Sequence, residues 1–107
     1  MPPSPMQVYE AGKLTVFGFG GEPVLDHIDL SQCRDGIAAI CREHAAEHVA
    51  FDLTGVRLMP SGLLGLLASL KQQLGVNVML YNPSDDIREV LEITRLDRLM
   101  EVHELAL

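Results

Sequence analysis

Apolar residues along this chain come in short bursts parted by glycine or polar breaks, and the spacing within each burst indicates an element. Gln7 to Glu10 and Leu14 to Phe19 are β-prone stretches joined by Ala11, Gly12 and Lys13, a hairpin pattern with glycine at the turn. Gly18, Gly20, Gly21 and Pro23 then interrupt the pattern. From Asp29 or Ser31 to about His48, the positions Ile37, Ala38, Ile40, Cys41 and Ala45 recur at three- and four-residue spacing. That spacing predicts a helix with one buried face and a weak point at Gly36.

His48 to Leu53 is an apolar run of strand length closed by Thr54 and Gly55, as expected of a buried central strand, and Val56 to Met59 continues toward a second break at Pro60. Gly62 to Leu74 is almost wholly apolar until Lys71, Gln72 and Gln73, which predicts a largely covered helix exposed at its far end and stopped by Gly75. Val76 to Tyr81 is the next strand, Asn82 and Pro83 turn the chain, and Ser84 is a good N-cap. Asp85 and Asp86 then fall in the first turn of a helix, where the unpaired backbone donors favour carboxylates. Ile87, Val90, Leu91 and Thr94 mark that helix's buried face; a helical piece at Leu96 to Met100 leads to a last strand around Val102. The order β-β-α-β-α-β-α with a closing segment predicts an α/β fold, a mixed sheet with helices packed on it, in one domain over 7–107.

Composition narrows the function. At 107 residues with 48% apolar side chains, one modest core can close. The first six residues, with three prolines and no basic region ahead of an apolar segment, read as a loose tail and not a signal peptide. No stretch approaches the roughly 18–20 apolar residues of a membrane span, so the expectation is a cytoplasmic chain that is not a membrane protein. Fifteen acidic against eight basic side chains, net −7, argue against nucleic acid, whose recognition draws on clustered Lys and Arg. Cys33 and Cys41, eight residues apart on one expected helix, would stand about 12 Å apart along its axis, too far for a disulfide.

The segment VAFDLTGVRLMPSGLLGLLASL resembles the central signature of STAS domains, where a strand ending Asp-Leu-Ser/Thr-Gly-Val runs into Asp-Ser-Ser/Thr-Gly-Leu-Gly and a helix. Asp52, Leu53, Thr54, Gly55 and Val56 match the strand end, Ser61 falls on the serine and Gly65 on the second glycine. The segment VMLYNPSDDIREVLEITRLDRLMEV is similar to a later part of the family, and the two lie within residues 48–102. In the anti-sigma factor antagonist branch the matched serine is phosphorylated by a partner that is both serine kinase and anti-sigma factor, and the unphosphorylated form binds that partner. The resemblance therefore implies a non-enzymatic protein without cofactor or metal, working in signal transduction and transcription regulation. Its partner would be an anti-sigma factor kinase or another signalling protein, Ser61 the phosphorylation site, and Pro60, Ser61, Gly62, Leu63 and Leu64 the partner-binding residues.

A serine at the mouth of a helix faces unpaired N–H groups, so a phosphate there is tolerated while changing what a partner meets; the plainer reading of Ser61 is an N-cap. Where the family has an aspartate before the serine this chain has Pro60, and Gly62 and Leu63 replace the next hydroxyl residue and the first glycine. Proline supplies no N–H and no carboxylate, which leaves a phosphorylation-independent STAS binding subunit as the alternative.

Other signals are weaker. His44 to His48 reads H-x-x-E-H, the spelling of one zinc-peptidase group, with the histidines a helical turn apart. A small zinc hydrolase using His44, Glu47 and His48 is the alternative from another class, against a solvated helix end. Gly18 to Gly21 lacks the Lys-Ser/Thr of a phosphate loop and is expected to be a flexible connection. The leucines Leu63, Leu64, Leu66, Leu67 and Leu70 are expected in the core, and Asp85, Asp86, Glu89 and Glu92 on a solvated acidic face that can steer a basic partner.

Overall fold

In a computed structural model the described residues are 6–21, 23–25 and 28–104. Strands β1 (Gln7–Glu10) and β2 (Leu14–Gly18) form the expected hairpin. Then follow α1 (Leu30–Glu43), β3 (His48–Asp52), α2 (Ser61–Leu74), β4 (Asn77–Tyr81), α3 (Asp85–Thr94), a 3₁₀ turn (Leu96–Arg98) and β5 (Glu101–His103). The five strands lie in the order in which they occur, β1 antiparallel to β2 and the rest parallel. This is the mixed α/β sheet expected from the sequence. The tail expected at 1–6 lies outside the described residues except for Met6, which packs against the core with its sulfur 3.6 Å from the Cys33 thiol.

Parallel strands joined through helices cross over in the right-handed sense, and here every crossover advances the sheet by one strand in the same direction, so the helices gather on one face. Phe17, Val49, Phe51, Val78 and Leu80 point to that side and meet Ile37, Leu63, Leu64, Leu67, Leu70, Ile87 and Leu91 in one core cluster. The rings of Phe17 and Phe51 stack with centroids 5.5 Å apart. Thr15, the one fully buried polar residue among those described, gives its hydroxyl to the Gly12 carbonyl at 2.9 Å and so ties the hairpin turn to the strand.

The helix ends explain where sequence reading and structure differ. Helix α1 starts on Asp29, whose carboxylate accepts the Gln32 N–H at 3.0 Å, but stops at Glu43, short of the expected His48. Ala45 turns left-handed at φ +49°, and the Ala46 and Ala45 N–H groups reach back to the carbonyls of Cys41 and Arg42. This is the glycine-type helix stop made by an alanine, so no glycine announced it. As a result His44 caps the helix while His48 opens β3, and the two do not share a helical face. At the end of α3, Thr94 is exposed, not buried, and its hydroxyl bonds the Val90 carbonyl at 2.6 Å. Helix α2 is exposed at both ends, not only the far one.

Both cysteines are free and buried on α1, and burial pushes the Cys33 thiol up to about 11 and raises Cys41 as well. A thiol raised in the fold favours its neutral form there, so its contribution to stability is complete below pH 9 and lost as pH climbs through about 11. The unfolding midpoint of wild type should therefore fall between pH 9 and 11 more steeply than that of Cys33→Ala, measured by denaturant titration at each pH. Because an L-residue held left-handed costs roughly 1–2 kcal/mol and exposed Ala45 makes no compensating packing, Ala45→Gly should stabilise the domain by about 1 kcal/mol. Thermal unfolding should then move upward by roughly 4–8 °C.

Candidate functional site

The carboxyl ends of β3 and β4 collect the loops that carry the sequence motif. Asp52 ends β3, and its Oδ1 accepts both the Thr54 N–H at 3.0 Å and the Thr54 hydroxyl at 2.6 Å. The Asn82 side chain, beyond β4, donates to that same hydroxyl at 3.0 Å. Leu53 and Val56 are buried between them. Gly55 sits at φ +84°, and a Cβ there would stand 3.0 Å from the Cα of Gly21. The matched residues Asp52 to Val56 thus clamp the loop: two satisfy its polar groups, two anchor it in the core and one permits backbone to touch backbone.

The next residues are held from both sides. Arg57 and Leu58 donate their N–H groups to the Pro23 carbonyl, Leu25 donates to Leu58, and the Ser84 hydroxyl donates to the Arg57 carbonyl at 2.7 Å. Ser84 also caps α3 as expected, accepting the Ile87 N–H at 3.2 Å. Pro60 then occupies the N-cap position of α2 at φ −59° and ψ 142°, and its carbonyl accepts from Leu63 and Leu64. Ser61 is therefore the first residue inside the helix and not its cap. Its hydroxyl is exposed and makes no hydrogen bond among the described residues. The Ser61 and Gly62 N–H groups belong to the first turn, where a helix has no internal acceptor to offer.

Pro60, Ser61 and Gly62 face outward, whereas Leu63 and Leu64 are fully buried in the core. Solvent reaches the first three and not the last two. Around them lie apolar side chains that sequence reading did not single out: Val24, Leu30 and Leu58, exposed to 45%, 37% and 51%. Val24 bridges Leu58, and a Cβ on Gly62 would come within 3.2 Å of Leu30 Cδ1, so all three border the Ser61 turn. Hydrophobicity alone could not separate these from core residues, because in sequence an exposed leucine looks like a buried one.

The glycine run at Gly18 to Gly21 is a packed connection. Tyr9 lies across Gly18, where a Cβ would collide with its ring, and its hydroxyl accepts the Gly20 N–H at 3.0 Å. Of the zinc reading, His44 and His48 fall at the amino end of the sheet, the far end from Ser61, and His48 Nδ1 lies 3.2 Å from the Asn77 amide. Among the described residues no group of three His, Cys, Asp or Glu is placed to hold a metal.

A family model for the STAS domain matches residues 5–105. The chain belongs to the STAS domain family. Its fold is similar to that of the anti-sigma factor antagonist SpoIIAA in its unphosphorylated form, with TM-score 0.78 and 20% identity over 94% of this chain and 88% of that one. The phosphorylated form of the Bacillus cell fate determinant SpoIIAA gives TM-score 0.66 and 20% identity over 94% and 91%. A STAS domain protein from Planctomyces limnophilus gives TM-score 0.71, with the same identity and coverage. No curated protein matches the chain. No helix of this STAS domain, among the described residues, is long and apolar enough to cross a membrane.

Two glycines of the motif should behave oppositely. Gly55→Ala should cost about 1–3 kcal/mol, because it forces a left-handed side chain against the Gly21 backbone. Gly65→Ala, inside α2 with nothing within 4 Å of its Cβ, should leave stability unchanged or raise it by up to about 1 kcal/mol. Urea unfolding of both variants beside wild type checks the pair.

Proposed function

We propose that this STAS domain acts as an anti-sigma factor antagonist, binding a regulatory protein of the anti-sigma factor and serine kinase type through the turn at Pro60, Ser61 and Gly62, with phosphorylation of Ser61 as the switch. The observation that carries the reading is the Ser61 hydroxyl: exposed, unbonded among the described residues, at the first position of a helix and bordered by exposed apolar side chains. A phosphate adds about −1.5 to −2 charge at pH 7. At a helix amino end the unpaired N–H groups and the dipole accept that charge, so α2 stays folded while the surface changes from apolar to anionic. A partner seated on Val24, Leu30 and Leu58 would then have to desolvate a dianion, and binding is lost without unfolding the antagonist. The likeness of this fold to solved antagonists in both an unphosphorylated and a phosphorylated form supports the reading.

Pro60 favours a second reading, a phosphorylation-independent binding subunit of a signalling assembly. It places no carboxylate and no N–H beside Ser61 for a kinase to engage.

Pull-down from the native host with wild type, Ser61→Ala and Ser61→Asp, with mass spectrometry of partners and phosphosites, separates the readings. Recovery of an anti-sigma-type kinase by wild type and Ala but not by Asp, with all three melting within about 2 °C, is the result expected of the switch. Identical partners for all three and an unmodified Ser61 would instead establish the constitutive subunit.

A further inference from the structure

The sheet has a second face, turned away from the helices. The strand registers place Glu10, Val16, Ala50, Met79 and Glu101 in one row straight across all five strands. Residues opposite one another in adjacent strands share a face, so this row is continuous. Neither Val16, Ala50 nor Met79 belongs to the core cluster or packs against it, whereas their strand neighbours Phe17, Val49, Phe51, Val78 and Leu80 do. Val16 and Met79 are half-buried, the small Ala50 is shut in between larger neighbours, and Glu10 and Glu101 are exposed at either end. The next row adds Asp52, Tyr81 and His103, with the Tyr81 and His103 rings stacked at 5.2 Å. Parallel strands in proteins are nearly always covered on both faces, and here among the described residues only one is.

We infer that this face docks an amphipathic helix whose apolar stripe is flanked by Lys or Arg. Five strands span about 19 Å, and a helix with its side chains is about 10–12 Å wide. Lying along the strands, such a helix would rest its apolar stripe on Val16 and Met79, either side of the shut-in Ala50, and bring the residues on its two flanks over Glu10 and Glu101. The acidic balance of the chain, net −7, works in the same direction. The charge pattern also decides against a second copy of this domain. Sheets packed face to face keep their strands nearly aligned, and with a glutamate at both ends of the row either orientation sets carboxylate against carboxylate. This surface lies away from the Ser61 turn, and the inference does not rest on the proposed switch.

The test uses the full chain and a designed 18-residue leucine–lysine amphipathic peptide, with a leucine–glutamate peptide of the same pattern as control, followed by amide chemical shifts and fluorescence anisotropy. Expected are shifts centred on Val16, Ala50 and Met79, binding weakened by salt, a loss of ~10-fold in affinity for Glu10→Lys/Glu101→Lys, and unchanged binding by Ser61→Asp. Shifts centred instead on the acidic α3 positions Asp85, Asp86, Glu89 and Glu92, or equal binding of the glutamate peptide, would overturn the assignment. So would sedimentation showing a dimer that Met79→Lys dissolves, since the face would then belong to a second copy.

Discussion

Handedness of the crossover is the constraint on which this molecule depends. Three successive parallel connections, each advancing the sheet by one strand, must lay α1, α2 and α3 on the same side. The core is therefore a single layer between that side of the sheet and the helices, and its largest members are Phe19 and the stacked Phe17 and Phe51, followed by leucines and isoleucines that include those of α2. The same constraint brings the turns after β3 and β4 to one end of the sheet, because parallel strands finish together. Ser61 stands at that end for a topological reason before any functional one.

Within that end, the residues most recognisable in sequence are those that hold the loop, and the residues a partner would touch are less distinctive. Asp52, Thr54 and Asn82 close a polar network across two loops, and Gly55 lets one backbone rest on another. Such positions tolerate few residue types, since a carboxylate, a hydroxyl or a missing Cβ is required by geometry. The proposed contact surface of Val24, Leu30 and Leu58 asks only for apolar bulk. A motif in this STAS domain thus marks the frame of the site more sharply than its working face.

The edge of the sheet shows the same division on a smaller scale. Between Val8 and Glu10 the pairing with β2 slips by one residue, and the extra residue, Tyr9, lies over Gly18. A bulge of this kind re-aims a side chain, and here it puts an aromatic ring on a glycine that no other residue could replace without moving it. The bulge also returns Glu10 to the face of Val16, which sets the carboxylate at one end of the apolar row.

By itself the sequence determined the number, type and order of the elements and most of the core, because periodic burial and turn residues are local properties written at fixed spacing. The strands, the caps at Asp29 and Ser84, the stop at Gly75 and the burial of the α2 leucines were all legible in this way. The stop of α1 was not, because Ala45 adopts a left-handed turn for which its side chain has no preference, and only the strand that must begin at His48 compels it. The tertiary structure alone decided that Ser61 lies one position inside its helix, that Leu63 and Leu64 are buried in the core, and that Glu10, Val16, Ala50, Met79 and Glu101 form one row. Those are relations between segments far apart in the chain, and they exist only once strand register and crossover direction have brought the segments together.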